Sequence, residues 1–131
     1  MEVKIVELNY DFVREILLTC AASTHPMGPS EDEIRKLADD YEVSLDQLAY
    51  TVTCLFQAGL VVNKVAYTLS GPYLVSPGNL TWDGNEYLNN IRNTSVWEET
   101  KDKVKKSGLS VSLQVLGAVA TAVVKNKLGL N

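Results

Sequence analysis

Few side chains in this sequence could carry chemistry, and they are scattered. His25 is the only histidine, in the segment Ser23-Thr24-His25-Pro26-Met27-Gly28-Pro29. An imidazole can shuttle a proton or ligate a metal, but no second His and no paired Cys stand ready to complete such a site. His25 therefore reads as an exposed loop histidine. Cys20 and Cys54 are far apart, lack a CxxC spacing and fall on helical patterns, so they read as free, half-buried thiols. Carboxylates gather at Glu31, Asp32 and Glu33 and again at Asp39 and Asp40. Paired acids can perform acid–base or metal chemistry, but along a short surface helix such a run is a solvated face. Lys101, Lys103, Lys105 and Lys106 could meet phosphate, yet cations in the last turns of a helix also complement its dipole. No nucleophile elbow, His-containing triad or metal-ligand spacing joins these groups. The expectation is a protein that is not an enzyme and holds no cofactor or metal.

The elements that position these groups follow from periodicity and capping. Asn9 can cap a first helix over residues 10–22, in which Phe12, Val13, Ile16, Leu17 and Cys20 recur at threes and fours. Two prolines and a glycine then enforce a loop. Ser30 with Glu33 forms a capping box for a second helix to about Tyr41, and Ser44 with Gln47 forms another for a third helix ending at Gly59. Leu45, Leu48, Ala49, Val52, Leu55 and Phe56 give the third helix a core stripe. Asp46, Gln47, Tyr50, Thr51, Thr53 and Gln57 form its other face. Residues 60–69 are rich in β-branched and aromatic types and predict a strand. Ser70-Gly71-Pro72 turns the chain, and residues 73–75 and 79–81, interrupted by Pro77, supply the return. Residues 3–8 could add a short edge strand.

Thr81 then caps a fourth helix carrying Tyr87, Leu88 and Ile91, with Trp82 expected to fold back onto the core. Ser95 and Glu98 suggest a third capping box for a fifth helix that faces Val96, Trp97, Thr100 and Val104 inward and runs to about Lys106. After Gly108, Ser110 is expected to cap a sixth helix to about Leu128 with a narrow polar stripe of Gln114, Thr121 and Lys125. A helix apolar over so much of its surface needs more than one burial partner. It lies in a groove of its own domain or pairs with another subunit, for which Leu116, Val119 and Val123 are the candidate residues. The fold class expected is α+β, mainly helical: a winged helix-turn-helix core of three helices and a β-hairpin wing over residues 1–92, with a C-terminal helical extension over 93–131 packed on it as one compact unit.

A chain of 131 residues can bury a full core without staples. Its net charge of −4 conceals an asymmetry: residues 1–91 hold 5 Lys+Arg against 13 Asp+Glu, whereas residues 92–131 hold 7 against 3. An acidic front argues against unaided duplex binding there, since phosphate neutralisation supplies most sequence-independent affinity. The N-terminal stretch lacks a basic lead, an apolar core and a cleavage site of signal-peptide type. The most apolar run, residues 113–124, is too short to span a bilayer. With free thiols, these features lead to an expected cytoplasmic location and no membrane partner.

The stretch over residues 79–103 and the close of the chain resemble a family of uncharacterised phage and prophage proteins of Gram-positive bacteria, catalogued as a domain of unknown function. The matching positions are Leu80, Thr81, Trp82, Asp83 and Gly84, then Tyr87, Leu88, Ile91, Arg92 and Asn93, then Trp97, Thr100, Lys101 and Gly108. The ending Lys127-Leu128-Gly129-Leu130 also matches. The start, residues 8–18 from Leu8-Asn9-Tyr10 to Ile16-Leu17-Leu18, and the junction Gln57-Ala58-Gly59-Leu60 are similar too, whereas the His25 loop departs from the pattern. The resemblance implies a winged-helix fold and phage origin, in the cytosol of a bacterial host, and brings no activity or ligand with it.

Three function classes follow. The first is a non-enzymatic accessory module that binds a host or phage protein, through the third-helix face of Asp46, Gln47, Tyr50, Thr53 and Gln57 and the wing residues Lys64, Tyr67 and Tyr73. The second is a DNA-binding regulator of winged-helix type, whose recognition helix here has no Lys or Arg on its exposed face. The third is an enzyme. The first is preferred, because a neutral, aromatic-bearing surface suits protein contact better than phosphate.

Overall fold

A computed structural model describes residues 8–130, so the strand expected over residues 3–8 lies, apart from Leu8, outside the described residues. Three helices come first: α1 (Tyr10–Ala22), α2 (Glu31–Asp40) and α3 (Leu45–Gln57). Each is capped by the residue that sequence spacing predicts. The side chains of Asn9, Ser30 and Ser44 accept from the amides of Phe12, Glu33 and Gln47. α3 closes with Gly59 at φ +76, which lets the Gly59 amide bond the Phe56 carbonyl and the Leu60 amide bond the Leu55 carbonyl.

The hairpin is shorter than its β-propensity suggests. Strand β1 (Ala66–Thr68) pairs antiparallel with β2 (Gly71–Leu74), turning through Leu69-Ser70 rather than the expected 70–72. Residues 60–63 leave the ladder after a single bridge, Val61 with Leu80. They are held by amides of Val62 and Asn63 on the carbonyls of Asn79 and Pro77. Pro77 has no N–H to return, which is why the ladder breaks there.

The C-terminal half comprises α4 (Trp82–Ile91), α5 (Thr94–Ser107) and α6 (Leu113–Lys127). Caps differ from the expected residues at two of these. Asn93, not Ser95, caps α5, its side chain accepting from the Val96 amide. Starting two residues earlier gives Val96 and Trp97 full helical geometry on the buried face. Ser112, not Ser110, caps α6 through the Val115 amide. Residues 109–111 are instead pinned outside the helix, where the Tyr10 hydroxyl donates to the Val111 carbonyl at 2.9 Å and accepts its amide at 2.8 Å.

One continuous core runs from Phe12 to Ala120 and takes side chains from all six helices described. α6 packs on α5 and α4, and α4 also packs on α1. Trp97 is 2% exposed, but Trp82 is 79% exposed, contrary to its expected place in the core. The buried side chains of α4 are Gly84, Leu88 and Ile91. Trp82 precedes Gly84 by two residues, a turn of about 200° at 3.6 residues per turn, and so projects from the opposite face. Leu45 and Phe56, expected in the α3 core stripe, lie at the surface, while Thr51, expected outside, is fully buried. The Thr51 hydroxyl donates to the Gln47 carbonyl at 2.8 Å, which frees its methyl group to pack.

Candidate functional site

The surface feature that gathers most of the unexplained polar residues is a cleft of about 890 Å³ walled by α3, α4 and α6. Its frame begins at the α3–α4 junction. The Thr81 hydroxyl donates to the Gly59 carbonyl and the Thr81 amide to the Leu60 carbonyl, while the same hydroxyl accepts the Gly84 amide at 3.0 Å. Gly84 lies flush against the Leu60 carbonyl: a Cβ at this position would stand 2.0 Å from that oxygen. The Leu-Thr-Trp-Asp-Gly run is therefore a splice between two helices.

The α4–α6 side is tied equally firmly. The Tyr87 hydroxyl donates to the Leu113 carbonyl at 2.6 Å, and its ring packs where a Cβ on Gly117 would stand 2.7 Å away. Burial pushes the Tyr87 pKa well above the ordinary phenol range, so this hydroxyl remains a donor. The Asn90 amide donates to the Thr121 hydroxyl at 3.1 Å, which donates in turn to the Gly117 carbonyl. Gln114 and Thr121, the polar stripe of the sixth helix, thus line this cleft.

From α3 the cleft receives Tyr50, Cys54 and Gln57. A hydrogen bond with Cys54 and the charge of that group push the Tyr50 hydroxyl above its ordinary pKa. Asp83 and Glu86 stand exposed on the α4 wall, and among the described residues no ion pair engages either and no Lys or Arg lines the cleft. The arrangement offers an apolar floor of Leu60, Tyr87 and Leu113 beneath an acidic wall and a neutral amide rim.

Of the α3 residues singled out from sequence, Tyr50 and Gln57 meet in this cleft. Asp46 is exposed at the α3 N-terminus, and Gln47 lies in a separate shallow groove with Tyr41 and Ser44. Thr53 is half-buried with its hydroxyl oxygen inside the fold. Lys64, Tyr67 and Tyr73 are exposed on the hairpin, away from the cleft. Leu116 and Val123 are buried within the fold, so they present no free face to a second subunit. Val119 is half-buried and lines a small groove between α5 and α6. The residues that sequence reasoning missed are Cys54, Glu86 and Asn90. Glu86 and Asn90 are four apart on the α4 face away from Gly84, a signal available from helical periodicity.

Among the described residues, three of the six lysines of the C-terminal half are ion-paired. Lys101 pairs with Asp11 at 2.8 Å and Glu98 at 3.3 Å, Lys106 with Asp102 at 2.9 Å, and Lys127 with Glu99 at 3.4 Å. Lys101 and Arg14 flank the buried Trp97 ring, whose indole N–H donates to Asp11. His25 is exposed beside Glu33 at 3.1 Å. Among the described residues no three His, Cys, Asp or Glu side chains converge as a metal-ligand set, and no helix is long and apolar enough to cross a membrane.

No solved structure matches the chain. A protein of Haemophilus influenzae described as uncharacterized is 29% identical over 122 residues, which cover 92% of this chain and 97% of that one. The family model described as "Hypothetical protein (DUF2513)" matches residues 7–110, and the chain belongs to that family.

Proposed function

We propose that this protein is a non-enzymatic interaction module whose partner is a protein, engaged through the α3–α4–α6 cleft, with the exposed faces of α3 and of the more distant hairpin as further contact surfaces. The observation that carries the reading is the charge of this surface. Asp83 and Glu86 wall the cleft, α3 exposes no Lys or Arg, and Lys64 is the hairpin's only cation. Phosphate would meet repulsion there, whereas Tyr50, Tyr67 and Tyr73 offer amphipathic contact area of the kind enriched at protein interfaces. Three helices followed by a hairpin is the order of a winged-helix core, and we read residues 1–92 in that way, with 93–131 as its extension. The resemblance to phage and prophage proteins supports an accessory role toward a host or phage protein in the bacterial cytosol.

The alternative, a DNA-binding regulator, draws support from Lys103, Lys105 and Lys125, which have no carboxylate partner among the described residues. A fluorescence titration with random and phage-derived duplex DNA separates the two. The protein reading expects negligible binding at about 0.1 M salt, and a nanomolar Kd that falls steeply with salt would overturn it.

A further inference from the structure

The cleft and the end of α6 are complementary in charge and shape. Asp83 and Glu86 are three residues apart on α4, so both carboxylates face the same way. At the far end of α6, Lys125 is exposed and has no ion pair among the described residues, and it lies three residues before Leu128 on one helical face. Leu128 is 69% exposed and Leu130 57%. This end is ordered by its own backbone: the Leu130 amide donates to the Lys125 carbonyl at 2.7 Å, and Gly129 takes φ +76. It forms a fixed knob of two leucines and Lys125 beside Lys127, which is held by Glu99, and the described residues leave Lys125 and both leucines uncovered.

Its own cleft is out of reach. α6 lines that cleft with Gln114, Gly117 and Thr121, and Leu128 lies about 10 Å further along the same straight helix at 1.5 Å per residue. The complement must come from another molecule. We propose that the cleft receives the end of α6 from a second copy of this chain, with Lys125 meeting Asp83 and Glu86 and with Leu128 and Leu130 resting on the floor of Leu60, Tyr87 and Leu113. A two-fold axis makes the exchange reciprocal and closes the assembly at a dimer. This rests on the reading of the cleft as a protein-binding surface and identifies the first protein it binds.

The experiment is light scattering across a concentration series, joined to a titration of the monomeric variant Lys125→Glu with a synthetic peptide of residues 119–130. Wild type is expected to dimerise. Glu86→Lys and Lys125→Glu, both at exposed positions, are each expected to weaken the dimer about tenfold or more, and the double variant to recover most of that loss. The peptide is expected to bind the Lys125→Glu protein and to lose about tenfold in affinity when it carries Lys125→Glu itself. A wild-type chain that stays monomeric near millimolar concentration overturns the proposal, as does a dimer indifferent to both single substitutions. Neither result touches the protein-partner reading, which fails separately if the duplex titration gives tight, salt-sensitive binding.

Discussion

The two tryptophans of this chain have opposite environments, and each makes a measurable difference. Trp97 is buried on α5 against Arg14 of α1 with its N–H on Asp11, whereas Trp82 stands in solvent at the first turn of α4. Trp82→Phe should leave blue-shifted fluorescence resistant to acrylamide, and Trp97→Phe should leave red-shifted fluorescence that is readily quenched. In urea unfolding, Trp97→Ala is expected to lose about 3–5 kcal/mol and Trp82→Ala no more than about 0.5 kcal/mol. Asp11 is the residue through which pH acts on this packing. Burial raises its pKa, but hydrogen bonds from Lys101 and Trp97 outweigh burial and set it below the ordinary 3.8. A lowered carboxylate pKa stabilises the fold above the ordinary value, and the contribution is lost as pH falls through the folded one. Lys101 is the converse: the Asp11 hydrogen bond raises it above 10.5, so its contribution holds below that pH and fades as pH rises through the folded value. Asp11→Asn should flatten both limbs of a stability–pH curve measured by urea unfolding.

At the scale of elements, two junctions keep the surfaces in place. The α3–α4 splice depends on Gly84, and Gly84→Ala would drive a methyl into the Leu60 carbonyl, backbone that cannot swing aside. A loss of about 1–3 kcal/mol or more is expected, read from thermal or urea unfolding. The hairpin is clamped to α2 by Glu31, whose Oε1 accepts the amides of Val75 at 2.7 Å and Ser76 at 2.5 Å, and Arg35 reaches from the next turn to the Tyr73 carbonyl. Glu31→Ala should raise amide hydrogen exchange at Val75 and Ser76 at least tenfold while leaving Leu88 and Ile91 protected. Exchange that rises across the whole chain would instead make Glu31 a determinant of global stability.

For the whole molecule, the opposite charges of the two halves are partly consumed inside the fold: Asp11 of the acidic half holds Lys101 of the basic half. Arg14 caps the end of α4 through the carbonyls of Ile91 and Arg92, and the Trp97 indole N–H on Asp11 carries the first helix across the residue 92/93 boundary. α6 contributes Leu113, Leu116 and Ala120 to the shared core. Removing residues 109–131 is therefore expected to abolish the cooperative thermal transition and expose Trp97 to quencher. A truncated chain that melts cooperatively near the full-length temperature would show that the first five helices form their core without α6.

Helix order, the caps of the first four helices and the inward stripe of α1 were legible in the sequence because they are local: 3.6-residue periodicity and a side-chain oxygen three residues before an orphan amide fix them within a turn. The same reasoning found Gly59, whose left-handed conformation ends α3. It failed where partners distant in sequence compete. Thr51 is polar by type but bonds its own helix and turns its methyl inward; Trp82 is apolar by type but is left outside by the face that Gly84 must present to Leu60. The candidate site was half visible, as Tyr50 and Gln57 on one helix and the polar stripe of Gln114 and Thr121 on another. Nothing local relates those two stripes. Only the packing of α6 against α4, set by the Tyr87–Gly117 contact and the Asn90–Thr121 hydrogen bond, brings them to one cleft with Asp83 and Glu86. The sequence by itself determined the elements and the charge asymmetry of the chain; the tertiary structure decided which charges cancel inside the fold and which remain unpaired at its surface.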